Sequence, residues 1–216
     1  MHNLPADILD LLQRYADILW QANQSVNLIG YRDKDTLWTE GIEDSIFSVK
    51  VAGQFIAPAS SIIDIGSGGG LPGMAAAAML PDSTVTLVES IRKKCDFLNF
   101  CIAELGIKNC FVVQGRIEEY NLRGTHDLAF CRAVAELAVS LEYTLPFLKT
   151  GGIFIAHKGK KAAAELTSSA HALTVLGAEK ESIFQAEGKC FIVFRKKRET
   201  ASCYPRKNGL PARRPL

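Results

Sequence analysis

Apolar and polar positions change period twice along this 216-residue chain. Between residues 4 and 22, Ile8, Leu11, Leu12, Tyr15, Leu19 and Ala22 recur at helical spacing, with Pro5 near the first turn, which predicts an amphipathic helix with one buried stripe. Residues 36–55 predict one or two more helices, interrupted near Gly41. From residue 60 the pattern alternates. SIIDI (61–65), TVTLVE (84–89), CFVVQG (110–115), HDLAFCRA (126–133) and GIFIAHKG (152–159) read as strands. Between them lie an Ala-rich helix in LPGMAAAAML, a helix over KKCDFLNFCIAELG with Gly106 as its C-terminal cap, and a helix over 135–148. A further helix near 160–176 precedes ESIFQAEGKCFIVFRK, which reads as a hairpin.

Strands alternating with helices predict a mostly parallel seven-stranded sheet covered on both faces, an α/β Rossmann-like architecture ending in an antiparallel hairpin. The organisation expected is an N-terminal helical segment (1–58) packed on a core (59–197), followed by a basic tail (198–216).

The chain is 48% hydrophobic, enough to bury a substantial core. No segment approaches the unbroken apolar run of a membrane span, and the N-terminus carries acids where a signal peptide carries bases. The six cysteines form no CxxC pair and sit mostly among apolar neighbours, so we expect reduced core residues, no metal site and a cytoplasmic protein. Charge is unevenly spread. The net +2 combines about −5 over residues 1–194 with +7 from Arg195 onward, a cationic tail suited to a polyanion. We expect that tail, Arg206 and Lys207 included, to contact phosphates and to have little part in holding a small ligand.

SSIIDIGSGGGLPG (60–73) carries the chemistry. A strand running into glycines such as Gly66, Gly68 and Gly70 lets backbone approach a ligand. No Gly-Lys-Ser/Thr ends the turn, which excludes a P-loop. A dinucleotide fingerprint fails as well, because the glycine spacing matches only two residues late and sets Pro72 among the helix N–H donors. Asp64 before the turn disfavours a pyrophosphate and suits a cation. S-adenosylmethionine is such a ligand. Glu89 ends the second strand where a carboxylate accepts ribose hydroxyls. Ile117 and Glu118 follow the third strand, where they would meet the face and edge of adenine.

DIGSGGGLPG, VESIRKKCDFL, GRIEEY and AFCRAVA together resemble the bacterial 16S ribosomal RNA guanine-N7 methyltransferases of the glucose-inhibited division protein B type. WQANQSVNLIGYRD (20–33), GIEDSI (41–46) and YPRKNGLPARRPL extend that resemblance from about position 20 to 216. Gly41 stands where the family motif has histidine, and Ile29 where it has threonine.

The resemblance implies cofactor contacts at Gly66, Leu71, Ile117 and Glu118, with Arg132 lining the site near the methyl group and the incoming base. It sets Asn27, Asp44, Ser45 and Lys158 around the acceptor pocket. Arg132 also fits guanine chemically, because guanidinium bonds the base's acceptors bidentately. The implied partner is 16S ribosomal RNA, the small subunit or an assembly intermediate, and the protein is expected to be a monomer without metal. Other readings are a class I methyltransferase acting on another RNA, a protein or a small molecule, a non-catalytic RNA-binding module with a vestigial cofactor pocket, and more distantly an NAD-dependent oxidoreductase.

Overall fold

The computed structural model describes residues 4–186 and 189–216. Helix α1 (Ala6–Asn23) buries Leu12, Tyr15 and Leu19 of the stripe read from the sequence, together with Ala16, and half-buries Ile8, Leu11 and Ala22. A single helical stretch follows it. It begins as α2 (Lys34–Thr36), widens into a π-helical segment (Leu37–Ile42) and continues as α3 (Glu43–Ala52). The predicted interruption at Gly41 is therefore a bulge within one continuous helix. Asp33 caps its start by accepting the Thr36 N–H at 2.7 Å.

The remainder alternates as expected: β1 (Ser61–Ile65), α4 (Gly73–Met79), β2 (Thr84–Glu89), α5 (Arg92–Glu104), β3 (Cys110–Gln114), β4 (His126–Cys131), α6 (Leu137–Thr144), β5 (Leu148–Lys158), α7 (Ala162–Ser168), α8 (Ala170–Leu176), β6 (Ala178–Ala186), β7 (Lys189–Lys196) and α9 (Leu210–Arg213). One seven-stranded sheet has the order β3-β2-β1-β4-β5-β7-β6. The first five strands are parallel, and β7 enters antiparallel between β5 and β6.

Three boundaries depart from the sequence reading. β5 begins at Leu148, and Gly151-Gly152 lie inside it at an irregularity opposite His126 and Leu128. A left-handed Gly151 lets the strand absorb those extra residues. The helix expected at 160–176 breaks at Ser169 into α7 and α8. Arg195 and Lys196 lie in β7, as the hairpin reading expects, although the charge count placed them with the cationic tail; the first strand of that hairpin starts three residues earlier than read, at Ala178.

Alternating side chains divide the core between two faces. Ile62, Leu87, Leu128 and Ile155 face α1, α3, α4 and α5, whereas Ile63, Ile65, Ala129 and Phe154 face α6 and α8. Cys95, Cys101, Cys110 and Cys131 are buried as expected; Cys190 is half-buried and Cys203 is exposed. Burial pushes the thiols of Cys101, Cys110 and Cys131 up to about 12, which leaves them unreactive. Among the described residues no helix is long and apolar enough to cross a membrane, and no cluster of His, Cys, Asp or Glu is arranged to hold a metal.

Candidate active site: two clefts joined at Gly66

Strand order reverses at β1, with β2 on one side and β4 on the other, and ligands of such sheets bind beyond the carboxyl ends of these strands. The glycine turn lies there. Gly66, Gly68 and Gly70 have φ of 68°, 56° and 96°, the left-handed region that glycine enters without strain. Close packing adds a second demand. A Cβ on Gly66 would sit 2.6 Å from Val134 Cγ2, and one on Gly73 would sit 2.2 Å from Leu87 Cδ2.

The turn is braced from beneath. The Tyr15 hydroxyl donates to the Gly69 carbonyl, and Asp64 Oδ2 accepts the Gly73 N–H at 2.9 Å. Asp64 is 1% exposed and lines neither cleft, so it anchors the turn and the start of α4 instead of facing a ligand. Burial raises its pKa to about 7, against the Gly73 N–H and the Arg132 charge, which favour ionisation. Gly70 likewise packs inward, beneath Tyr15, Leu98 and Met74.

Two clefts open on either side of Gly66. The first, of about 340 Å³, is lined by Gly66, Glu89, Ile117, Glu118, Tyr143 and Ala212 among others. Glu89 is held at its edge: Oε2 accepts the Gly68 N–H at 2.9 Å and Oε1 the Ile91 N–H at 2.8 Å. Oε2 keeps a lone pair for a ligand hydroxyl, whereas Oε1 also accepts the Ser90 hydroxyl at 3.5 Å. Ile117 supplies a buried apolar face and Glu118 a polar edge. These features fit S-adenosylmethionine, with a carboxylate for the ribose, an apolar floor for the purine and bare backbone beside the sulfonium end. The volume lies within the range of about 300–1,000 Å³ usual for small-molecule sites.

The second cleft, of about 430 Å³, shares Gly66 and adds Leu28, Tyr31, Glu40, Leu71, Lys94 and Arg132. Arg132 follows β4 directly and is fixed by residues that precede β1, one in the loop after α1 and two in the helical stretch beyond it. Its Nη2 donates to the Tyr31 hydroxyl at 2.7 Å, and its Nη1 to the Gly41 carbonyl at 3.2 Å and Ser45 Oγ at 3.4 Å. Ser45 in turn donates to the same Gly41 carbonyl at 2.6 Å. The π-helical turn therefore presents a carbonyl to the guanidinium at the position where the family motif carries histidine. A side chain there would be crowded, since a Cβ would stand 3.0 Å from Leu37 and 3.1 Å from Tyr31. Burial raises the Tyr31 pKa even though Arg132 lowers it, so the phenol stays protonated.

The sequence candidates thus separate into groups. Gly66, Gly68, Leu71, Glu89, Ile117, Glu118 and Arg132 line the two clefts. Asn27 is exposed beside Leu28, a wall of the second cleft. Asp44 and Ser45 stand behind Arg132. Asp44 is bound by Lys189 at 2.9–3.0 Å, with His157 Nε2 3.7 Å away, and its burial raises its pKa. Lys158 is spent on Glu165 and on the Ala135 carbonyl, each at 2.9 Å. Arg206 is spent on Glu142, while Lys207 is exposed. Tyr31, Glu40, Lys94, Tyr143 and Ala212 were not singled out from the sequence. Tyr31 and Lys94 fall inside the quoted motif segments, but spacing alone does not show which members of a motif face a ligand.

A glycine turn at the switch point of the sheet and a carboxylate placed for a ribose mark a nucleoside-binding α/β fold of the S-adenosylmethionine-dependent methyltransferase class. Solved structures agree on the fold. A SAM-dependent methyltransferase from Aquifex aeolicus aligns over 83% of this chain and 97% of its own, with TM-score 0.60 at 16% identity. The TYW2 protein of M. jannaschii, solved in complex with AdoMet, aligns over 73% of this chain and 77% of its own, with TM-score 0.54 at 16% identity.

Residues 8–193 match the family model described as rRNA small subunit methyltransferase G, and the chain belongs to that family. Among its relatives, the "Ribosomal RNA small subunit methyltransferase G" of Moorella thermoacetica is 34% identical, with 99% of this chain and 92% of the relative aligned. The protein of the same name from Rubrobacter xylanophilus is 37% identical, with 96% and 84% aligned.

Proposed function

We propose that this protein transfers a methyl group from S-adenosylmethionine to N7 of a guanine in an unpaired loop of 16S ribosomal RNA. The observation that carries this reading is the placement of Arg132. It lines the second cleft, is clamped by Tyr31, Gly41 and Ser45, and adjoins the glycine shared with the first cleft.

S-adenosylmethionine supplies the methyl group as an electrophilic sulfonium. Guanine N7 has a lone pair and no proton, so the protein has no proton to remove from the nucleophile. Glu40, a carboxylate among the residues lining the second cleft, then needs no role as a base. The chain's task is orientation. Glu89 and Ile117 hold the nucleoside end, the glycine backbone fixes the reacting end, and Arg132 positions the base through its acceptor edge. Lys94 adds a second cation for the substrate's phosphates. An unpaired nucleotide fits this cleft because its base can be splayed into it. Exposed cations of the tail such as Lys207, Arg213 and Arg214 would bind phosphates without regard to sequence. We expect a cytoplasmic monomer acting on the small subunit or an assembly intermediate.

The test is to incubate the protein with labelled S-adenosylmethionine and ribosomal RNA lacking the modification, then map the label. Label at guanine N7 in a loop of 16S RNA is the expected result; label at any other atom overturns the mechanism.

A further inference from the structure

We infer that the C-terminal segment, residues 199–216, is a wall of the cofactor cleft and that Arg206 is the positioning residue that holds it there. The inference rests on assigning the first cleft to S-adenosylmethionine, and it gives the tail a second role beside phosphate binding.

After β7 the chain does not trail into solvent. Thr200 Oγ1 donates to the Leu176 carbonyl at 2.8 Å, Arg123 donates to the Ala201 carbonyl, and Tyr204 packs against the buried cluster to which α6 contributes. The central anchor is a buried ion pair. Glu142 lies in α6 with its side chain fully buried. Its Oε1 accepts the Arg206 backbone N–H at 2.8 Å and Nε at 2.9 Å, and its Oε2 accepts Nη2 at 2.6 Å. Arg206 Nη2 also donates to the Arg214 carbonyl at 2.8 Å, closing the segment into a loop around α9.

That loop lies on the cleft. Gly209 donates its N–H to Glu118 Oε1 at 3.2 Å, and Ala212 lines the same cavity as Ile117, Glu118 and Tyr143. One carboxylate, Glu118, therefore faces the nucleoside site and ties down the tail. Anything that undocks the tail opens one side of the cleft.

A charge buried as deeply as Glu142 is tolerated only when its lone pairs are filled, and a planar guanidinium does so bidentately where an ammonium cannot. Among the contacts that dock the tail, this pair is the buried ionic one. If the tail were undocked in nine molecules of ten, apparent affinity for S-adenosylmethionine would fall about tenfold.

The experiment titrates S-adenosylmethionine, without RNA, into the full-length protein and three variants. In the double variant Arg206→Gln/Glu142→Gln the anchor is lost without stranding a buried charge. Ala212→Leu keeps the anchor but puts bulk into the cleft from an exposed backbone position, so the idea stays refutable even where the double variant fails to fold. Arg206→Lys should bind with intermediate affinity. In steady state the double variant should raise KM for S-adenosylmethionine in proportion to its loss of affinity, with kcat at saturation within about twofold of the parent. A double variant or Ala212→Leu protein that melts like the parent and binds S-adenosylmethionine equally well overturns the inference. Failure of the parent itself to bind S-adenosylmethionine overturns the assignment of the cleft instead.

Discussion

Arg132 shows how little of a residue's role is written beside it in the chain. Its type and place after a strand mark it for guanine, but its three partners, Tyr31, Gly41 and Ser45, come from 87 to 101 residues earlier. Replacing it by Ala should leave the fold intact and cut methyl transfer about a hundredfold, the scale of a misplaced reacting group. Unchanged turnover on ribosomal RNA would remove it from the site. His126 offers a test of stability at the same scale. Its ring hydrogen-bonds Ser61 at 2.9 Å and is buried, and that burial lowers its pKa to about 4. Because the unfolded chain binds the proton more tightly, the stability tied to a neutral His126 is full above about pH 6.5. It is lost as pH falls toward about 4 and amounts to about 3 kcal/mol at most. Chemical denaturation of His126→Asn across that window should show a flatter pH slope than the parent. An unchanged slope would mean that the histidine is already solvated.

Among the elements, those defined by local pattern were legible. SIIDI, TVTLVE and the glycine turn are where periodicity places them, because alternation and glycine act within a few residues. The insertion of β7 between β5 and β6 was not legible, since strand order depends on pairing across the whole sheet. The π-helical turn was read as a break because Gly41 looks like a helix breaker, whereas it provides a free carbonyl and a small side in a crowded place. Gly41→Ala should therefore push Tyr31 or Leu71 outward and lower turnover while S-adenosylmethionine affinity changes less. Equal losses in both would show that the bulge supports the whole turn and not Arg132 alone.

Over the whole molecule, charge counting mistook part of the tail. It registered Arg195, Lys196 and Arg206 as free cations, although Arg195 pairs with Glu181, Lys196 is buried against the Leu148 carbonyl and Arg206 is locked on Glu142. The acids and carbonyls that absorb them lie far off in sequence, so a local sum cannot include them. The cations left exposed are fewer, and RNA binding should report that. Removing Lys207, Arg213 and Arg214 together should reduce the slope of log affinity against log salt by about 2 at most, at roughly 0.7 per phosphate on a single strand. A slope equal to the parent's would place the RNA elsewhere on the surface.

The clamp on Arg132 also bears on how such enzymes can be recombined. Besides the apolar core they share with the sheet, the residues before β1 meet it through a carbonyl, a hydroxyl and a phenol that converge on the Arg132 guanidinium. A chimera that exchanged residues 1–58 for another protein's would retain every residue of the first cleft that precedes the tail and still misplace Arg132. Acceptor choice in this architecture is therefore not a detachable cassette: the joint near residue 58 marks a change of secondary structure, and the functional seam runs through the guanidinium.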